Sequence, residues 1–159
     1  MRRGRLVAAV CTVLALGATN GCSPPLLPLV AVLELPTGGP AAVLRPCERD
    51  QDHSMTVELR DQGWDGWQAR TRKAGSAVFR LFSPPDSWQV TRTGEQRLVP
   101  GGSYDLEFAV ESSGGFVDHR GFLYSFSTAD LASLRPGEVL TGQGTMTREE
   151  FLEQALDHC

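Results

Sequence analysis

Two stretches of the chain alternate apolar and polar side chains with a period of two residues, and this pattern restricts the fold more than any other feature. In residues 54–61, SMTVELRD, the side chains of Met55, Val57 and Leu59 share one face. Residues 104–110, YDLEFAV, repeat the pattern. Because successive side chains of a strand point to opposite faces of a sheet, both stretches predict β-strands with one buried face.

Short apolar or β-branched segments separated by proline and glycine turns fill much of the remaining chain. Turns are predicted at 36–40 and 83–86, and residues 112–121 predict a long hairpin loop. Segments at this spacing are typical of an antiparallel sandwich. The sequence therefore predicts an all-β fold of about seven strands, which lie in segments 28–35, 54–61, 66–72, 76–82, 87–93, 98–110 and 122–127.

A short motif opens the second alternating stretch. Leu98, Pro100, Gly101 and Tyr104 have the spacing L-x-P-G-x-x-Y. This motif resembles the corner that leads into the sixth strand of fibronectin type III and other immunoglobulin-like domains. The resemblance implies an immunoglobulin-like sandwich in which the Tyr104 hydroxyl bonds to backbone a few residues upstream. The alternative is an ordinary Pro-Gly turn before a strand that begins with tyrosine.

The end of the chain changes to a helical pattern. Thr147, followed three residues later by Glu150, has the spacing of a capping box. The apolar residues that follow share one stripe at helical spacing: Phe151, Leu152, Ala155 and Leu156. We therefore predict a short C-terminal helix that packs on the sandwich, an addition to the plain fibronectin pattern. The predicted domain covers residues 29–159.

Residues 1–21 have the pattern of a secretory signal peptide. Three arginines among the first five residues precede an apolar run over 6–18. That run is shorter than the roughly 20 residues that cross a bilayer. The segment ends ATNGC, in which Gly21 and Cys22 resemble the lipobox of bacterial lipoproteins.

The lipobox resemblance implies that the Cys22 thiol carries a diacylglyceryl group and that cleavage before Cys22 makes it the first residue. Residues 22–28 then form a tether, which its prolines keep extended. Two acyl chains hold a protein firmly at a bilayer. The lipobox resemblance therefore implies a location at the outer face of the cytoplasmic membrane, with the bilayer as a partner. The alternative is an ordinary cleaved signal peptide with Cys22 free or paired.

The remaining cysteines predict one disulfide. Cys11 leaves with the signal peptide, and lipidation would occupy Cys22. In an oxidising exported compartment the two thiols left over, Cys47 and Cys159, usually pair. If Cys22 is not lipidated, then Cys22, Cys47 and Cys159 can form only one disulfide among them, and one of the three stays unpaired.

The charge of the exported part excludes one class of partner. The chain has 15 basic and 19 acidic residues, and loss of the three N-terminal arginines leaves 12 basic residues and a formal charge of −7. An acidic domain lacks the basic face that nucleic acid requires. It also lacks the polybasic surface that attracts proteins to anionic lipid. Nucleic acid is therefore not an expected partner.

Catalytic and metal-binding patterns are weak in this chain. Each histidine, His53, His119 and His158, follows an aspartate, but neighbouring side chains of a strand point apart. The histidines do not have the short spacing of zinc ligands, and no nucleophile elbow is present. We therefore predict exposed loop histidines, with no catalytic residue, metal site or cofactor. The alternative is a small exported hydrolase-type enzyme that uses Asp118 and His119 in the predicted loop.

Aromatic residues in predicted loops indicate a possible binding face. Trp64 lies in a polar, glycine-flanked stretch, and Phe116 lies in the 112–121 loop near His119. The expected function is a lipid-anchored extracytoplasmic binding or accessory module without catalytic activity. Its expected partner is an envelope protein or a cell-wall glycan. A structural envelope protein without a ligand is a further alternative.

Overall fold

The computed structural model describes residues 26–35, 38–61, 66–92 and 94–159. No helix in this part of the chain is long and apolar enough to cross a membrane. In chain order its elements are β1 (Val30–Glu34), β2 (Pro40–Leu44), a 3₁₀ turn (Glu48–Asp50), β3 (Ser54–Asp61), β4 (Gly66–Thr71), β5 (Ala77–Arg80), β6 (Gln89–Arg92), β7 (Tyr104–Glu111), β8 (Val117–Phe126), α1 (Thr128–Ala132), β9 (Glu138–Thr141), β10 (Gly144–Thr147) and α2 (Arg148–Asp157).

The strands form two antiparallel sheets that pack face to face. The first sheet has the order β10-β9-β1-β2-β5, and the second has the order β6-β4-β3-β7-β8. Because β2 pairs with β5 and β3 pairs with β7, the chain crosses between the two sheets several times along its length. The predicted all-β antiparallel sandwich with a short C-terminal helix is therefore confirmed.

The structure has more strands than the sequence predicts. The β9–β10 hairpin extends the edge of the first sheet beside β1, and the sequence does not predict it. Each of these strands has four residues and only one or two large apolar side chains. Segments this short do not show a clear alternation of apolar and polar side chains, so the sequence alone does not indicate the hairpin.

Strand β1 is buried on both of its faces. Val30 and Val32 pack in the core between the sheets, whereas Ala31 and Leu33 pack in a second apolar cluster that includes Phe151 of α2. This double burial explains why residues 29–33, LVAVL, form a continuous apolar run instead of an alternation.

The predicted capping box of α2 is confirmed. The backbone N–H of Glu150 donates to the Thr147 hydroxyl at 3.2 Å, and the backbone N–H of Thr147 donates to the Glu150 carboxylate at 2.8 Å. Phe151 and Ala155 are buried, but Leu156, which the sequence places in the same stripe, is 51% exposed. Since a helix turns about 100° per residue, Leu156 lies roughly 140° around the helix from Phe151. The buried stripe is therefore narrower than predicted.

The predicted tyrosine corner is present at the start of β7. The backbone N–H of Val99 donates a hydrogen bond to the Tyr104 hydroxyl at 2.6 Å, and the ring is buried. Gly102 allows this close approach, because a Cβ at that position would lie 2.6 Å from the hydroxyl oxygen. The bond fixes the turn that delivers the chain into β7.

Removal of the Tyr104 hydroxyl tests the corner. We expect Tyr104→Phe to lower the free energy of unfolding by about 1–3 kcal/mol, because the Val99 N–H loses its acceptor. Tyr124→Phe is the matched control, since Tyr124 is 57% exposed and should be close to neutral. Urea denaturation of both variants measures the difference. Equal stabilities would show that the hydroxyl does not hold the turn.

Candidate functional site

The predicted disulfide between Cys47 and Cys159 is confirmed, and it marks one end of the sandwich. The Cα atoms of the two cysteines are 5.3 Å apart. Cys47 is buried immediately before the 3₁₀ turn, whereas Cys159 is exposed. The bond therefore joins Cys159, two residues after the end of α2, to the turn between β2 and β3.

Asp50 is the central polar residue at this end of the fold. Its carboxylate accepts a hydrogen bond from the backbone N–H of Cys47 at 2.9 Å. The same oxygen, Oδ2, lies 3.0 Å from Nε2 of His119, a close contact without the alignment of a hydrogen bond. Asp50 and His119 are both only 2% exposed. This buried contact fastens the 3₁₀ turn to β8 beside the disulfide.

The prediction that His119 lies in an exposed loop is wrong. Strand β8 begins at Val117, so the loop covers only 112–116, and His119 is one of the inward-facing residues of the strand. The next inward residue, Gly121, allows β1 to approach, because a Cβ there would lie 3.1 Å from a methyl of Val30. A histidine and a glycine at inward positions conceal the period of two that predicts a strand.

Asp118 and His119, which the hydrolase alternative would use together, do not pair, because the two side chains lie on opposite faces of β8. Each finds a partner near the 3₁₀ turn instead. His119 contacts Asp50, while Asp118 Oδ2 lies 3.0 Å from Nδ1 of His53. His53 Nδ1 is also 3.9 Å from Asp50 Oδ1. Asp50 and His119 therefore form one buried contact, and His53 and Asp118 form a second contact that is partly exposed.

Burial controls the protonation of His119. It lowers the pKa of the His119 imidazole below its ordinary value, and the charge of Arg49 acts in the same direction. The carboxylates of Asp50 and Asp118 oppose this shift, but desolvation is the larger cause. The pKa of His119 therefore favours the neutral imidazole, which can hold the turn but has no access to a substrate.

The lowered pKa of His119 predicts a loss of stability in acid. Below pH 6.5, the ordinary pKa of histidine, His119 binds a proton more readily in the unfolded chain than in the folded protein. The free energy of unfolding should therefore be steady above this pH and should fall below it, by at most about 1.4 kcal/mol per pH unit. His119→Gln should reduce this slope, whereas His158→Gln, an exposed position, should preserve it. Denaturation between pH 5 and 8 measures both, and equal slopes in the wild type and His119→Gln would contradict the assignment.

The same cluster includes atoms that could hold a metal ion. The Cys47 sulfur, an Asp50 oxygen and a His119 nitrogen lie within 4.8 Å of one another. The disulfide occupies the Cys47 sulfur, so it offers no thiolate. One carboxylate and one imidazole remain in that group, fewer than the ligand set of a zinc site. In the described part of the chain the arrangement is therefore best suited to a structural role.

An open polar cleft of about 950 Å³ lies beside this cluster, between the β4–β5 turn, the start of β6 and the β7–β8 turn. Every residue that lines it is polar or glycine. Arg70 is held by Glu111 at 2.7 Å, whereas Arg72 and Lys73 are exposed and make no ion pair with any residue the structure describes. Asp52 adds one carboxylate to the lining, and hydroxyl and amide groups supply most of the rest: Ser54, Thr71, Ser87, Gln89, Ser112 and Ser113.

The structure describes two of the three residues of the predicted binding face. Trp64 lies outside the described residues, and His119 is buried. Phe116 is 76% exposed in the β7–β8 turn, next to the cleft-lining Gly115, so its role in binding stays a prediction. Asp50 is a site residue that the sequence did not predict; its signal is its position three residues after Cys47, at the end of a turn.

Comparison of the chain with protein-family models, with curated proteins and with solved structures gives no match in any of the three.

Proposed function

We propose that the protein is an exported, lipid-anchored binding module that is held at the outer face of the cytoplasmic membrane through Cys22. The pairing of the four cysteines is the observation that supports this proposal. Cys47 and Cys159 are paired with each other, and Cys11 belongs to the predicted signal peptide. Cys22, at the lipobox-like position, is then the single unpaired cysteine of the mature chain. A disulfide also supports an oxidising, extracytoplasmic compartment.

The polar cleft is the proposed ligand site, and its chemistry favours an anionic cell-wall glycan. The mature chain has a formal charge of −7, yet the cleft lining holds Arg72 and Lys73, which make no ion pair with the described residues, against the single carboxylate of Asp52. Its hydroxyl and amide groups can bond to sugar hydroxyls. An envelope protein is the second partner class, but the cores of protein interfaces are depleted of charge and enriched in aromatic residues.

A hydrolase has less support than a binding module. The Asp118–His119 pair on which that alternative depends is not formed, and His119 is 2% exposed. A general base must come within hydrogen-bond reach of the proton that it removes. A binding role requires only the exposed groups of the cleft.

Replacement of Cys22 tests the anchor. We expect Cys22→Ala to move the protein out of the membrane fraction or to leave an uncleaved precursor, because the acylated sulfur is lost. Cys11→Ala is the matched control and should fractionate like the wild type. Fractionation with an immunoblot measures both. Normal processing and full membrane retention of Cys22→Ala would defeat the anchor.

Co-sedimentation with purified cell-wall sacculi of the host tests the cleft. The chain from residue 22 onward should sediment with the sacculi, and Arg72→Gln with Lys73→Gln should weaken binding at least about fivefold, equivalent to roughly 1 kcal/mol. The control replaces Arg135 and Arg148, exposed arginines elsewhere, by glutamine. Equal binding by both double variants would exclude the cleft.

If sacculi bind nothing, enrichment of one envelope protein from solubilised membranes would indicate a protein partner, and no enrichment would favour a structural role.

A further inference from the structure

The chain enters the sandwich along the outer edge of β8. The backbone N–H of Leu27 donates to the Arg120 carbonyl at 2.7 Å, and Leu26 forms a parallel bridge with Arg120. Strand β8 is the last strand of the second sheet, so this contact lies at an edge of the sandwich. The last part of the predicted tether, residues 26–28, is thus already attached to the domain.

The distance from this contact to the proposed anchor is short. Cys22 precedes Leu26 by four residues. Since an extended chain spans at most about 3.6 Å per residue, Cys22 lies within about 14 Å of Leu26 along the chain. If acyl chains on Cys22 are inserted in a bilayer, the β8 edge must therefore stay close to the bilayer surface.

Two of the six exposed large apolar side chains of the described residues lie at this edge. Leu26 is 60% exposed and Tyr124 is 57% exposed, although both are large apolar or aromatic residues. The Phe122 ring stacks on the Tyr124 ring at a centroid distance of 3.7 Å. Leu26, Phe122 and Tyr124 are here called the edge patch. Tyrosine and apolar side chains of this kind are favoured at the boundary between lipid headgroups and water.

The surroundings of the edge patch match a neutral lipid surface better than a second copy of the chain. Arg120, between Leu26 and Phe122, lies 3.4 Å from Glu107, so its charge is compensated. Backbone pairing with another β8 is obstructed, because Leu27 occupies the Arg120 carbonyl and Gly142 packs against the Phe122 carbonyl. A Cβ at Gly142 would lie 2.6 Å from that oxygen. Edge strands that are covered in this way do not recruit further strands.

We propose that the edge patch rests on the membrane surface and orients the domain, a proposal that depends on the anchor at Cys22. Tyr124 lies about 23 Å along β8 from Val117, the residue at the cleft end of the strand. Contact through Tyr124 would therefore leave the polar cleft and Phe116 about 23 Å along the strand from that point of contact. The acyl chains supply attachment, and the edge patch supplies orientation.

Footprinting on vesicles tests this orientation without reliance on cellular lipidation. With the disulfide intact, Cys22 is the only free thiol of the chain from residue 22 onward, so it can be coupled to a maleimide phospholipid in phosphatidylcholine vesicles. Hydroxyl-radical oxidation, read by mass spectrometry, should fall at least threefold at Leu26, Phe122 and Tyr124 on coupling. Oxidation of Phe116 and of Val78, which is 44% exposed on β5, should be unchanged.

Two comparisons make the test decisive. Phe122→Ser with Tyr124→Ser should reduce the protection of Leu26 to the level that the short tether alone gives, whereas Phe116→Ser should keep it at the wild-type level. Equal oxidation of the edge patch before and after coupling would overturn the proposal, as would protection of Phe116 or Val78 instead. Protection without vesicles that grows with protein concentration would assign the patch to self-association. Failure of lipidation in cells would defeat the anchor, while the vesicle result would still report whether the edge patch contacts lipid.

Discussion

Replacing both Cys47 and Cys159 by alanine is expected to lower the free energy of unfolding by about 5 kcal/mol. The bridge joins residues separated by 112 positions, so its loss releases a loop of most of the domain in the unfolded chain. Natural domains are stable by only about 5–15 kcal/mol, so this variant should be close to unfolding at room temperature. Urea denaturation of the double variant measures the loss.

Chemical reduction provides the matched control for the disulfide variant. The wild-type protein in a strong reductant should have nearly the same unfolding midpoint as the double alanine variant, because both lack the bond. If the oxidised and reduced wild type unfold at the same urea concentration, the disulfide does not stabilise the fold as we expect. The double variant avoids a free thiol, which could form intermolecular bonds.

Phe108→Ala is expected to lower the free energy of unfolding by about 3–5 kcal/mol. Phe108 is fully buried in the middle of β7, between the two sheets, and truncation leaves a cavity there. Phe116→Ala removes the same atoms from a side chain that is 76% exposed, so it should change stability by less than about 0.5 kcal/mol. Denaturation of the two variants side by side tests the packing, and equal losses would contradict it.

The features that the sequence predicts best depend on neighbours along the chain. The inward residues of β7, from Tyr104 to Val110, are all buried because a strand alternates whatever surrounds it. The tyrosine corner and the α2 capping box are confirmed for the same reason, since each bond spans only a few residues. The disulfide was predictable by a different route, because the predicted export and lipidation would leave only two cysteines to pair.

The features that the sequence did not reveal depend on residues far apart in the chain. His119 follows Asp118 in sequence, but its partner is Asp50, which a different turn supplies. The first half of β8 has His119 and Gly121 at inward positions, so it lacks the apolar signal of a strand. The cleft combines two turns and the start of β6, none of which resembles a binding motif alone. Tertiary pairing alone brings these groups together.

The proposed anchor, edge patch and cleft would together make an oriented module. The tether ends on β8, the edge patch lies along the same strand, and the cleft lies at the end of the domain where β8 begins. Such an arrangement would hold a ligand-binding surface at a fixed height above the bilayer. The geometry of β8 makes these roles compatible, since about 23 Å separates the strand's cleft end from Tyr124.

The mass of the mature N-terminal peptide tests the central claim most directly. The protein should be extracted from membranes with detergent, digested and analysed by mass spectrometry. The anchor predicts that the first peptide begins at Cys22 and carries a diacylglyceryl group on its sulfur. A peptide that begins at Cys22 or elsewhere with an unmodified residue, from protein recovered in the culture fluid, would contradict the anchor and the membrane orientation that depends on it.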